Sequence, residues 1–306
     1  MHLHIPLLSG YIVAGIMALS VSCKRVEHVW TAPDTASIPH NASGELIRYG
    51  RELIVHTAVY LGPGGRVATI SNGMNCQNCH LEAGTKFMGN NYAATAANYP
   101  RYRERSGTIE SLDKRINDCL IRSLNGSPLD RKSHEMQAMI AYIEWVGMTV
   151  NNGAKPPGSG IRELPYLLRA ADTSKGRLVF ESQCKECHGA DGAGKYDPLT
   201  KEYVYPPLWG PHSYNNGAGI FRLSKFAGYV KDNMPLNKAH LRDEEAWDVA
   251  AFVNSQPRTE KLFEKDWPDV NTKPPDVATV PFADTFSAVQ HKYGPFGVIV
   301  KSRKKH

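Results

Sequence analysis

Two short stretches, Cys76-Gln77-Asn78-Cys79-His80 and Cys184-Lys185-Glu186-Cys187-His188, carry the most chemistry in this chain. Two thiols three positions apart add to the two vinyl groups of one haem, and the adjoining histidine then reaches the iron from the same side. Two copies predict two covalently bound haems c, attached through Cys76, Cys79, Cys184 and Cys187, with His80 and His188 as iron ligands. A four-cysteine zinc site wants its pairs about 15–20 residues apart, and Cys79 and Cys184 are much further apart than that. A thioredoxin-type redox pair would need neither histidine.

Each iron also needs a ligand on its other face. In the second half the candidate is Met234, in Asp232-Asn233-Met234-Pro235-Leu236, just before a helical pattern that opens at Asp243. A thioether raises the haem potential and suits an electron relay; the alternative is a core methionine. The loop Tyr205-Pro206-Pro207-Leu208 is placed to offer a proline carbonyl to the His188 ring N–H. In the first half the matching slot holds Cys119, in Arg115-Ile116-Asn117-Asp118-Cys119. Of the six cysteines, haem attachment uses four and Cys23 belongs to the N-terminal segment, so Cys119 has no disulfide partner. Flanking arginines favour its thiolate. A thiolate ligand lowers the potential, which suits chemistry at the iron better than simple relay. The alternatives are a buried free cysteine, or Met88 or His56 as ligand.

These residues need elements to hold them. Gly44 to Ile54 places apolar residues on one helical face and leads through a Gly-rich loop to the first motif. Thr173 to Glu181, capped by Asp172 or Thr173, runs directly into the second. Amphipathic helices follow at Glu135 to Trp145 and at Asp243 to Asn254. The chain therefore reads as a duplication, with domains at 44–152 and 171–258. They are separated by a 153–170 linker built around Gly153-Ala154-Lys155-Pro156-Pro157-Gly158-Ser159-Gly160, and followed by an extension at 259–306. With 26 Gly and 20 Pro it is loop-rich.

Residues 1–22 carry no Lys, Arg, Asp or Glu, and Leu19-Ser20-Val21-Ser22-Cys23 resembles a lipobox. Residues 1–23 are expected to be an export and lipoprotein segment with Cys23 lipidated, or an uncleaved anchor; 24–43 reads as a Pro, Ala, Ser and Thr linker. Either reading puts the protein outside the cytoplasm on a membrane surface, where haem c is attached. The 306 residues, 42% hydrophobic and 22% charged, exclude a disordered chain, and a net charge of +6 at pH 7 forces no nucleic-acid surface. The basic end from Lys301 is expected to be solvated.

The run from Tyr49-Gly50-Arg51 through Cys76-Gln77-Asn78-Cys79-His80-Leu81-Glu82-Ala83-Gly84-Thr85 resembles the dihaem thiosulfate dehydrogenases, relatives of the cysteine-ligated sulfur-oxidising cytochromes. The likeness continues through Arg122-Ser123-Leu124-Asn125-Gly126, Met234-Pro235-Leu236 and Glu245-Ala246-Trp247-Asp248-Val249-Ala250-Ala251-Phe252. It implies a mainly α fold of two tandem cytochrome c-like domains. It also implies interconversion of thiosulfate and tetrathionate at the cysteine-ligated haem, with the second haem passing electrons to or from a partner such as a small cytochrome c. Some members carry Lys before the methionine; Asn233 here favours plain His188/Met234 coordination. Thiosulfate is a dianion and calls for cations, so Arg105, Arg115, Arg122 and the Ser123 hydroxyl are the expected substrate contacts around Cys119. On a helix, Arg115 and Arg122 share its face at i−4 and i+3. The competing reading is a dihaem carrier without a substrate, in which Cys119 only tunes the potential.

Overall fold

The structure, a computed structural model, describes residues 1–2 and 29–304. Most of the expected export segment, Cys23 included, lies outside them. In the first half, helix α1 (Ala42–Val55) starts where the Asn41 side chain accepts the Gly44 N–H at 3.0 Å. A short α2 (Thr57–Leu61) leads towards the first motif, which forms a 3₁₀ turn at Cys76–Asn78 followed by the turn α3 (Leu81–Gly84). A hairpin of β1 (Arg101–Arg103) and β2 (Thr108–Glu110), with Tyr102 opposite Ile109, precedes α4 (Leu112–Arg122) and α5 (His134–Val146).

The second half repeats the order. Helix α6 (Thr173–Gln183), capped by Asp172 accepting from the Ser174 and Lys175 N–H groups, runs into α7 (Lys185–His188). A hairpin of β3 (Lys195–Asp197) and β4 (Glu202–Tyr205) follows, then α8 (Leu223–Asn233) and α9 (Asp243–Ser255). Asp243, Glu244 and Glu245 fill the first turn of α9, where negative charge offsets the helix dipole. The extension adds α10 (Ala288–Tyr293) and α11 (Phe296–Arg303).

Each half is closed by its first helix packed on its last, α1 on α5 and α6 on α9. A glycine stands at each crossing. A Cβ on Gly50 would lie 1.9 Å from the Ala138 carbonyl oxygen, and one on Gly176 would lie 1.9 Å from that of Asp248. Bare backbone lets the paired helices meet; the second motif follows directly on α6, and the first follows α1 through α2 and a loop. The buried apolar side chains of both halves form one continuous cluster.

Three expectations change. The 24–43 linker is folded from its described part onward, because Trp30 and Ile38 are buried in the core and the Arg48 guanidinium donates to the Ile38 carbonyl at 2.9 Å. The 153–170 linker is a packed strap: the Gly158 and Gly160 carbonyls accept the N–H groups of Met88 (2.9 Å) and Asn90 (2.8 Å). The basic end is not simply solvated, since Arg303 donates through Nε to Asp284 at 2.7 Å.

Candidate active site

In the first half the 3₁₀ turn at Cys76–Asn78 holds one wall of a cavity of about 130 Å³, lined by Cys76, Cys79, His80, Arg115, Cys119 and Ser123 among others. The Cys76 N–H donates to Thr57 Oγ1 at 2.9 Å, tying the motif to α2. His80 Nδ1 lies 2.5 Å from the Asn90 carbonyl oxygen and its ring stacks on Tyr92 at 4.6 Å. A carbonyl only accepts, so Nδ1 carries the proton and the Nε2 lone pair is left for a metal. Burial lowers the His80 pKa to about 4, so the ring is neutral at physiological pH.

Another part of the lining is α4. It is amphipathic, with Ile116 and Leu120 buried, and it presents Arg115, Cys119 and Ser123 to the cavity. Arg115 Nη1 donates to Cys119 Sγ at 3.3 Å. The pKa of Arg115 is raised, chiefly by the charge on Cys119 and against the cost of burial. A sulfur donor with a guanidinium partner thus shares the cavity with a histidine nitrogen that has a free lone pair.

In the second half a cavity of about 560 Å³ is lined by Cys184, Cys187, His188, Met234 and the apolar side chains of Leu208, Phe226, Val249 and Val253. That volume is in the range of small-molecule and cofactor sites, about 300–1,000 Å³. His188 Nδ1 lies 2.9 Å from the Pro206 carbonyl oxygen, the acceptor expected from the sequence. Burial lowers its pKa. The two sites adjoin: Asn78 and Cys79 of the first motif also line the second cavity, and the Tyr229 hydroxyl donates to the Asn78 carbonyl at 3.1 Å.

These donor sets fit a haem at each site. Each has a thiol pair beside an oriented neutral imidazole, with a sulfur donor among the residues lining the same cavity. Burial pushes the thiols of Cys76 and Cys79 up to about 12 and that of Cys184 up to about 11, the reverse of a redox-active pair with its lowered thiol. The rival ligands of the first half do not line its cavity. His56 is engaged by Glu202, 3.0 Å from Nδ1, and Met88 enters the structure through its backbone, whose carbonyl accepts from Asn233 at 3.1 Å.

Two of the four expected substrate contacts are not at the cavity. Arg105 donates through Nε to Asp266 (2.8 Å), and Arg122 forks both terminal nitrogens onto the same carboxylate (2.7 Å each). Asp266 is an anion in the extension, so it takes the cations that were expected to face a substrate. Only Arg115 and Ser123 line the cavity with Cys119. The sequence reading also missed Asn90, Tyr92 and Asn75. Asn75 receives the Asn78 side chain on its own N–H (2.7 Å) and donates to Glu202 (2.9 Å) across the two halves. An Asn three positions before another Asn at a turn start was a usable signal; a backbone carbonyl leaves none.

The chain matches the family model for the SoxA/TsdA cytochrome c domain over residues 67–150 and the model for cytochrome c over residues 173–257. It is 37% identical over 241 residues to a thiosulfate dehydrogenase of Stutzerimonas stutzeri, covering 78% of this chain and 76% of the relative. It is 39% identical over 233 residues to a thiosulfate dehydrogenase of Allochromatium vinosum, covering 74% of this chain and 84% of the relative. Among solved structures it resembles the thiosulfate dehydrogenase (TsdBA) of Marichromatium purpuratum, with a TM-score of 0.73 and 29% identity. That match covers 85% of this chain and 54% of the other, so this chain spans about half the length of that structure.

Proposed function

The chain belongs to the thiosulfate dehydrogenase family, and we propose that it is a dihaem c-type oxidoreductase interconverting thiosulfate and tetrathionate, with its reacting site between His80 and Cys119. The observation that carries the site assignment is Cys119 Sγ in one cavity with Cys76, Cys79 and His80, at 3.3 Å from the Arg115 guanidinium. Cys76, Cys79, His80 and Cys119 would hold one haem; Cys184, Cys187, His188 and Met234 would hold the other. When bound, the two haems supply one-electron acceptors.

The residues present account for the rest of the task. Joining two thiosulfates removes one electron from each dianion and forms one S–S bond between them, so like charges must be brought together. Arg115 supplies positive charge at the thiolate, and the Ser123 hydroxyl lies one turn further along α4 as a donor. Asn90 and Pro206 hold the two histidines in the tautomer that keeps Nε2 free. The side-by-side cavities support relay from the first site to the second, and from there to an external carrier such as a small cytochrome c. Tethering outside the cytoplasm through residues 1–23 belongs to the same proposal, supported by the apolar run ending at Cys23.

Replacing Cys119 by alanine in the haem-loaded protein is the decisive test. Turnover of thiosulfate and of tetrathionate should fall about a thousandfold, the scale of losing an essential charge-stabilising group. The spectrum of a thiolate-ligated low-spin haem should vanish while a His/Met signal stays. Full activity in the variant would refute the assignment.

A further inference from the structure

The segment 263–268 lies beyond both matched family regions and is nevertheless built into the reacting half. Asp266 Oδ1 and Oδ2 take both terminal nitrogens of Arg122 at 2.7 Å, and Oδ2 also takes Arg105 Nε at 2.8 Å. Its neighbours cover the same cations: the Phe263 ring lies 4.0 Å from the Arg122 guanidinium and the Trp267 ring 4.8 Å from that of Arg105. The Trp267 N–H donates to the Arg105 carbonyl at 2.7 Å. Glycines make the seat. A Cβ on Gly217 would lie 2.1 Å from Phe263, and one on Gly107 would lie 2.5 Å from Pro268.

Arg105 and Arg122 are only 18% and 13% exposed and share one carboxylate. The Arg105 pKa falls to about 10, first through burial and next through the Arg122 charge. Two buried like charges stay together only around a shared anion. Arg122 is three positions from Cys119 on α4, so the anion that holds it also decides how much positive charge stands near the thiolate.

We propose that Asp266 is a positioning residue for the Cys119 site: it confines Arg105 and Arg122 to the extension, neutralises part of their charge, and leaves Arg115 as the guanidinium that faces the thiolate. This rests on the function proposed above for the Cys119 cavity. Without the carboxylate, two uncompensated cations would stand beside α4, Arg122 three positions from Cys119, and add to the positive field that Arg115 offers a dianion. They would hold substrate more tightly and draw charge from the thiolate, which raises the potential of its haem.

The test compares Asp266→Asn, Asp266→Glu and the double variant Asp266→Asn/Arg105→Gln as haem-loaded full-length proteins. Redox titration reads the thiolate-ligated haem, and steady-state kinetics read KM and kcat for thiosulfate. In Asp266→Asn the potential should rise, KM should fall about fivefold and kcat should also fall. Glutamate should restore all three, and the double variant, which removes one cation with the anion, should return the potential towards that of the native protein. An unchanged potential, a KM that rises as kcat falls, or a double variant shifted as far as the single one would each overturn the proposal. If Asp266→Asn does not fold, the double variant and the glutamate variant decide it alone. A native protein that turned over no thiosulfate would refute the function while leaving the potential measurements to judge Asp266.

Discussion

Cys119 and Arg115 are one helical turn apart, and that spacing lets an 11-residue helix carry both a sulfur donor and a guanidinium that donates to it. The histidine of the same cavity is governed by burial, which without a carboxylate partner keeps His80 neutral. This has a consequence for acid stability. Free histidine titrates near pH 6.5, whereas in the fold the His80 pKa is about 4. Between those values the unfolded chain binds a proton that the folded chain refuses, so stability should fall as the pH falls through that window and be flat for this group above it. His188 is shifted in the same direction and adds to the effect. Denaturant midpoints measured at pH 7, 5.5 and 4.5 check this; a midpoint that held constant or rose on acidification would contradict it. Sequence spacing revealed the Arg115 contact because it is local. It could not reveal that Arg105 and Arg122 turn to Asp266, since that partner lies far along the chain in a segment with no motif of its own.

Helices were legible because their apolar periods and caps are local. The sequence places the first helix at Gly44 to Ile54 and the structure has it at Ala42–Val55; the last pair agree within two residues. What the pattern did not reveal is why Gly-Arg recurs in both first helices, at Gly50-Arg51 and Gly176-Arg177. Mid-helix glycine costs about 1 kcal/mol relative to alanine, so propensity alone argues against it. The helix crossings supply the reason, because backbone carbonyls of α5 and α9 occupy the space a methyl group would take. Gly50→Ala and Gly176→Ala should therefore each destabilise the protein by about 3 kcal/mol, towards the top of the range for overpacking, despite the gain in helix propensity. Chemical unfolding of each variant tests this. Stability equal to or above that of the parent would mean the helices separate at little cost. Because each crossing also seats a haem-attachment motif, lower covalent haem content should accompany the loss.

At the scale of the molecule, the halves and the extension are joined by buried polar contacts as well as by a shared core. Asn215 of the second half is fully buried, accepts the Gly217 N–H on its side chain at 2.9 Å, and holds the end of α4: its N–H donates to the Arg122 carbonyl at 3.1 Å and its side chain to the Ile121 carbonyl at 2.9 Å. Glu202 reaches back to Asn75 and His56 beside the first motif. The extension closes the second half: Phe296 and Ile299 are buried, Phe296 packs 5.8 Å from Trp247 of α9, and Asp276 takes Arg222 at 2.7 Å. An electron relay needs its two centres at a constant separation, and these contacts make that separation a property of the whole fold. Phe296→Ala should cost about 3–5 kcal/mol, the range for emptying an aromatic site in a core. Because Trp247 belongs to the cluster that lines both halves, unfolding followed at the two haem bands should shift by the same amount in one transition. Separate transitions, with only the His188 half weakened, would show instead that the extension stabilises one domain and that the relay distance is held by the interface contacts of Asn215, Glu202 and Tyr229 alone.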